Sequence, residues 1–280
     1  MCWLLSHFSL NLHLQKMRQL IIFFLSLALA ACGTYSKALK TKNMPEKYAY
    51  AKQYYDAQDY IRAIPLFEEL LTHYKGTDSS EMIYYYYCYS NYGSGEFSDA
   101  SYHFKNFTET FYNSDKIEEC YFMYAKCEYK YSQPYYLDQT ATQNGIEKLQ
   151  LFINLFPNSE RIPECNQYMD ELRAKLQKKA YENAYLYYKI GNYQAAVSAL
   201  KLLLDDYPDL QNVDEVEFLI VKSSYMLAKN SIERKKEVRY KNVVKEFKNI
   251  DTASEYYKEA ESYNSKSLKA IDRISNIIIK

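Results

Sequence analysis

One interval recurs five times along this chain and limits what it can fold into. A small residue is followed by apolar or aromatic residues four, seven and eleven positions later. The copies are Ala63–Phe67–Leu70–Tyr74, Ala100–Phe104–Phe107–Phe111, Gly145–Leu149–Phe152–Phe156, Ala196–Leu200–Leu203–Tyr207 and Lys236–Tyr240–Val243–Phe247, the last with Lys in the small position. These spacings place all four residues on one stripe of an α-helix. Three copies also carry a small residue on an opening helix: Ala51 with Tyr54, Cys88 with Asn91, and Ala184 with Tyr187. Tyr181–Pro208 shows a whole unit. Gly191-Asn192 breaks its first helix, as a Gly at the C-cap does, and Pro208 stops the second. Ala184 and Ala196 stand where two helices must approach closely. A helix pair of this kind cannot bury its apolar face alone and stacks on the next. The expected fold is therefore all-α, a solenoid of about five helix–turn–helix repeats. Only 6 Gly and 6 Pro interrupt the chain, which suits long helices and short turns.

The unit resembles the tetratricopeptide repeat (TPR), a helix–turn–helix of about 34 residues. Five TPR-like repeats are expected over 45–250. Repeat 1 covers about Pro45–Lys75, with Pro65 expected near the first turn of its second helix, where a missing N–H is tolerated. Repeat 2 covers about Ser79–Tyr112 and turns at Gly93-Ser94-Gly95. Repeat 3 opens near Asp115, and its helices are separated by an insertion at 132–142, too long for the usual turn. A long helical pattern, Pro163–Ile190, feeds repeat 4. Repeat 5 pairs Val213–Asn230 with Ile232–Lys248. Residues 251–280 read as a polar C-terminal helical cap.

Ahead of the repeats, residues 1–31 read as a signal peptide, with Met17 the expected true start. Met17-Arg18 supplies a basic n-region, and Leu20–Ala31 is an apolar core too short for a spanning helix of roughly 20 residues. Leu29-Ala30-Ala31-Cys32 resembles a bacterial lipobox, which makes Cys32 the expected lipidation site; the plainer alternative is secretory cleavage beside an incidental Cys. Gly33 rather than Asp follows, which by resemblance to other lipoproteins favours the outer membrane. Residues 32–44 read as a lipidated tether.

Counting from the seam positions, Tyr48, Lys52 and Tyr55 of repeat 1, Tyr85, Tyr89 and Tyr92 of repeat 2, and Tyr181, Tyr185 and Tyr188 of repeat 4 are expected on the concave side. There they would form a peptide-binding face; the alternative is that the rings fill inter-helix seams. The 33 Tyr suit either role, since each ring is apolar with a polar tip. Catalytic residues are not expected: no nucleophile elbow, HExxH or phosphate-cradling Gly loop occurs. His73 and His103 lack partners at metal-ligand spacing, so neither metal nor cofactor is expected. Lys+Arg 35 balances Asp+Glu 35 without a basic block, which argues against nucleic acid. Cys120 and Cys127, seven apart on a helix, lie roughly 10 Å apart and out of disulfide range; Cys88, Cys120, Cys127 and Cys165 read as buried small residues.

The lipobox, short tether and five repeats with an insertion in the third, and above all the segments 134–160 (PYYLDQTATQNGIEKLQLFINLFPNSE) and 178–209 (KKAYENAYLYYKIGNYQAAVSALKLLLDDYPD), resemble the BamD family. These are outer-membrane lipoproteins of the β-barrel assembly machinery. The resemblance covers roughly 32–250 and departs at Lys236 and over 251–280. It implies a scaffold on the periplasmic face of the outer membrane. C-terminal repeats would dock the core barrel subunit through its periplasmic domain, and N-terminal repeats would receive the extended C-terminal signal of unfolded outer-membrane proteins. A TPR lipoprotein scaffolding another envelope or cell-wall complex is the alternative.

Overall fold

The computed structural model describes residues 33–278, and every regular element among them is helical. The signal peptide and Cys32 lie outside the described residues. A short helix α1 (33–40) precedes a series of helix pairs. These are α2 (Met44–Asp56) with α3 (Tyr60–His73), α4 (Ser79–Gly93) with α5 (Phe97–Thr110), and α6 (Ile117–Tyr131) with α7 (Thr140–Leu155). Then come α8 (Ile162–Lys189) with α9 (Tyr193–Asp206), α10 (Val213–Lys229) with α11 (Glu233–Phe247), and the terminal α12 (Tyr257–Ile278). The chain divides into two compact units. The first runs to Tyr131 and includes Glu147–Ile162; the second holds Ser132–Ile146 and everything from Pro163 onward.

The recurring stripe is the core of each unit. In the first, Ala63, Phe67 and Leu70 are fully buried, as are Ala100, Phe104 and Phe107. In the second, Ala196 and Leu200 are fully buried, with Val243 on the fifth stripe. The aromatic that ends the stripe is the C-cap in three repeats. Tyr74, Phe111 and Tyr207 donate their backbone N–H to the carbonyls of Leu70, Phe107 and Leu203. Lys236 keeps its helical place by turning its ammonium to Glu233, 2.5 Å away. Ala51, Cys88 and Ala184 sit fully buried on the opening helices, where a larger side chain would hold the pair apart.

The turns share a feature that spacing alone conceals. The residue five before the small position is left-handed in three repeats: Gln58 at φ 57°, Gly95 at φ 87° and Gly191 at φ 78°. Gly takes this conformation without penalty, whereas a residue with a Cβ does not. Gln58→Gly is therefore expected to raise the stability of the first unit by about 1 kcal/mol, read as a higher urea midpoint; a lower midpoint would show that the Gln side chain contributes more than its backbone costs.

Two expectations are corrected. Residues 33–40, read as part of a tether, form a helix that packs on repeat 1. Ala38 is fully buried, Tyr35 meets Tyr54 edge-on at 5.6 Å, and Lys47 Nζ donates to the Leu39 carbonyl at 3.2 Å. One docked Ala among polar residues has no periodicity to read. Pro65 is the sixth residue of α3, not a first-turn residue. It removes the N–H that would bond the Ile61 carbonyl.

The insertion between α6 and α7 is an ordered loop. Gln139, buried, donates through Nε2 to the carbonyls of Pro134 at 2.8 Å and Leu137 at 3.1 Å. Thr142 donates to Gln139 Oε1 at 2.7 Å, and Lys175 Nζ bonds Ser132 Oγ at 2.6 Å. Cys88, Cys120, Cys127 and Cys165 are buried, and none of them is in a disulfide. Burial pushes the first three thiols far above their usual range. The polar cap is amphipathic: Phe218 of α10 stacks on Tyr256 just before α12 at 5.0 Å, and Tyr225 meets Tyr263 at 5.0 Å. No helix among the described residues is long and apolar enough to cross a membrane.

Candidate functional site

Four consecutive tyrosines, Tyr84–Tyr87, occupy α4. Successive helical residues point about 100° apart, so the first and fourth rings, Tyr84 and Tyr87, come back to one side and stack at 6.2 Å. The Tyr84 hydroxyl lies 3.1 Å from His103 Nδ1, and its ring stacks near Phe107 at 6.2 Å. Tyr87 also meets His103, at 4.7 Å, and burial holds that imidazole below its usual pKa. Tyr84 and Tyr87 thus fill the seam with α5. Tyr86 turns the other way, and Tyr85, which touches Phe107 edge-on at 6.3 Å, lies between the two sides.

These two rings form the centre of a ribbon that crosses α2, α4 and α6. On the α2 side, Tyr86 lies 4.9 Å from Tyr55 and stacks on the buried Phe67 at 5.9 Å. Lys52 Nζ sits 5.5 Å from the Tyr55 ring and 5.0 Å from the Tyr86 ring, and pairs with Asp56. On the α6 side, Tyr85 contacts Tyr89 at 4.7 Å and carries Lys116 Nζ at 5.1 Å over its ring. The Tyr89 hydroxyl donates to Glu119. Burial pushes the Tyr55 hydroxyl up to about 12, and burial also raises Tyr85 and Tyr89, so all three remain neutral donors. The Asp56 hydrogen bond raises the Lys52 ammonium further. The ribbon therefore presents apolar rings, two cations and phenol donors side by side. The rings follow one another without a break, Tyr55 to Tyr86 at 4.9 Å, Tyr86 to Tyr85 at 5.8 Å and Tyr85 to Tyr89 at 4.7 Å.

Of the candidates in the first unit, the structure brings together Lys52, Tyr55, Tyr85 and Tyr89. Tyr48 stands beside them, half-buried, on a cavity of about 390 Å³ that Met82 and Ile83 also line. Tyr92 packs at 5.5 Å against Phe97 on the next helix instead. Sequence reasoning missed Tyr86, Lys116 and Glu119. In a run of identical residues, periodicity cannot choose between Tyr85 and Tyr86, and α6 carried no small-residue signature to anchor the count.

The candidates of the second unit form a stack along α8. Tyr181 and Tyr185 stack at 5.9 Å, as do Tyr185 and Tyr188. The Tyr181 hydroxyl donates to Glu215 at 2.7 Å, and Lys189 Nζ lies 4.5 Å over Tyr185. Beside the stack, Tyr135 and Tyr136 of the ordered loop, with Lys179 and Leu186, line a cavity of about 260 Å³. Among the described residues no group of three or more His, Cys, Asp or Glu is placed to hold a metal ion.

Paired helices with aromatic ribbons on their opening members define a helical-repeat protein of the tetratricopeptide class. A family model described as YfiO, outer membrane lipoprotein, matches residues 40–241, and the chain belongs to that family. Similar solved structures include the TPR2AB domain of yeast Sti1 in its complex with pHSP90, at 14% identity, covering 82% of this chain and 96% of that one with a TM-score of 0.37. Another is the TPR domain of P58(IPK), at 12% identity, covering 85% and 68% with a TM-score of 0.39. No curated protein matches the sequence.

Proposed function

We propose that this chain is the scaffold lipoprotein of a β-barrel assembly machinery, acting by binding rather than by catalysis. Acylation at Cys32 holds it on the periplasmic face of the outer membrane. The second unit docks the periplasmic domain of the core barrel subunit. The first unit receives unfolded outer-membrane proteins. The observation that carries this reading is the ribbon Lys52–Tyr55–Tyr86–Tyr85–Tyr89, in a chain of the YfiO family. Rings stack on the aromatic side chains of an extended terminal strand, while Lys52 and Lys116 suit its carboxylate.

Tyr85→Ala combined with Tyr89→Ala is expected to weaken binding of a labelled, aromatic-ended barrel-terminal peptide by about tenfold, the equivalent of about 1.4 kcal/mol. Circular dichroism should show the helical signal retained. Unchanged affinity with intact helicity would overturn the assignment of this face. A detergent pull-down of the full-length protein should recover a large barrel protein with periplasmic repeats. Recovery of cell-wall enzymes without that barrel would instead assign the chain to another envelope complex.

A further inference from the structure

Ile61 is 76% exposed, more than any other large hydrophobic residue among those described. It lies in the first turn of α3, just after the tight turn Ala57-Gln58-Asp59. Its neighbour Arg62 places its guanidinium 5.6 Å over the ring of Tyr35 in α1. The first turn of α1 and the first turn of α3 therefore stand side by side.

Helix α1 is held firmly against repeat 1. Besides buried Ala38, the Tyr35–Tyr54 contact and the Lys47 bond to Leu39, Lys37 Nζ pairs with Glu46 at 3.1 Å. Tyr35 is only three residues from Cys32, at most about 11 Å of chain. The Cys32 backbone therefore lies within about 11 Å of the Tyr35 backbone, which keeps an acyl group carried there close to the fold. The charges beside Ile61 suit a headgroup layer. Asp59 and Arg62, on either side of Ile61 in the chain, pair with each other at 2.8 Å. An exposed aliphatic tip flanked by Tyr and Arg fits the boundary between headgroups and acyl chains.

We propose that the α2–α3 turn and the first turn of α3, centred on Ile61, seat in the interfacial layer of the bilayer that the lipid anchor engages. The acyl chains supply residence, and Ile61 fixes which edge of the first unit faces the membrane. This rests on lipidation at Cys32, and the test separates the two.

The only Trp of the chain, Trp3, precedes Cys32, so an introduced indole in the mature protein reports alone. Ile61→Trp is compared with Thr72→Trp, an exposed position on the same face of α3, three turns and about 16 Å further along. Each mature, acylated protein is reconstituted in phosphatidylethanolamine–phosphatidylglycerol vesicles, with circular dichroism to verify folding. The indole in Ile61→Trp is expected to shift its emission to the blue and to be quenched several-fold more by brominated lipid than that in Thr72→Trp. Equal exposure of both indoles to aqueous acrylamide on vesicles that carry the acylated protein would overturn the proposal alone. So would shielding at position 61 that arises only after a protein partner is added. Absence of the acyl mass on Cys32 would overturn the lipoprotein reading and the proposal with it.

Discussion

Phe67→Ala is expected to destabilise the first unit by about 3–5 kcal/mol, measured by urea unfolding. Phe67 is fully buried and belongs to the cluster that also holds Ala51, Leu66, Leu70 and Ile83. Its ring stacks on Tyr86 at 5.9 Å and meets Tyr55 edge-on at 6.4 Å. Truncation removes the transfer free energy of the ring and leaves a cavity that helices on both sides fill only in part. The same cavity lies directly beneath the two rings that carry the α2 side of the ribbon, so peptide affinity should fall as well. Phe67→Leu keeps most of the volume and should cost far less. A loss under about 1 kcal/mol for the Ala variant would mean that the seam can collapse around the missing ring.

Glu69→Ala should cost about 2–3 kcal/mol. Lys47 is fully buried, and among the described residues its ammonium meets the Glu69 carboxylate and, at 3.2 Å, the Leu39 carbonyl. Removing one partner of a buried pair typically costs about 3–5 kcal/mol, because the other charge stays desolvated. Glu69 is 49% exposed, so water can reach the abandoned ammonium, and the lower figure applies. Lys47→Met separates charge from volume: it retains an apolar stem, removes the charge, and should cost less than Glu69→Ala. Equal losses for both would show that the lost attraction of the pair, not a charge left without its partner, carries the effect.

The stripes were legible because helical stacking imposes one geometry on every repeat. A buried position facing the next helix tolerates only a small residue, and that constraint survives at Ala63, Ala100 and Ala196. The aromatic face was only partly legible. Counting from a seam residue locates Lys52, Tyr55, Tyr85 and Tyr89, but which neighbouring ring joins them depends on how α2 and α6 approach α4. That is tertiary information, and it brings in Tyr86, Lys116 and Glu119. Helix α1 was hidden for a different reason. Its order comes from one buried Ala and from partners far along the chain, Tyr54, Lys47 and Arg62, not from any pattern of its own.

The four concealed thiols set a kinetic condition on the protein. Once folded, Cys88, Cys120, Cys127 and Cys165 are shielded, and the raised affinity of the first three for their protons leaves almost no thiolate to react. Before folding, each is an ordinary nucleophile near its usual pKa of about 8.5. In an oxidising compartment, maturation becomes a race between closure of the helix seams and capture by an oxidant. Seam substitutions that slow closure would then be felt as mispaired chains, well before any loss of stability in the finished fold.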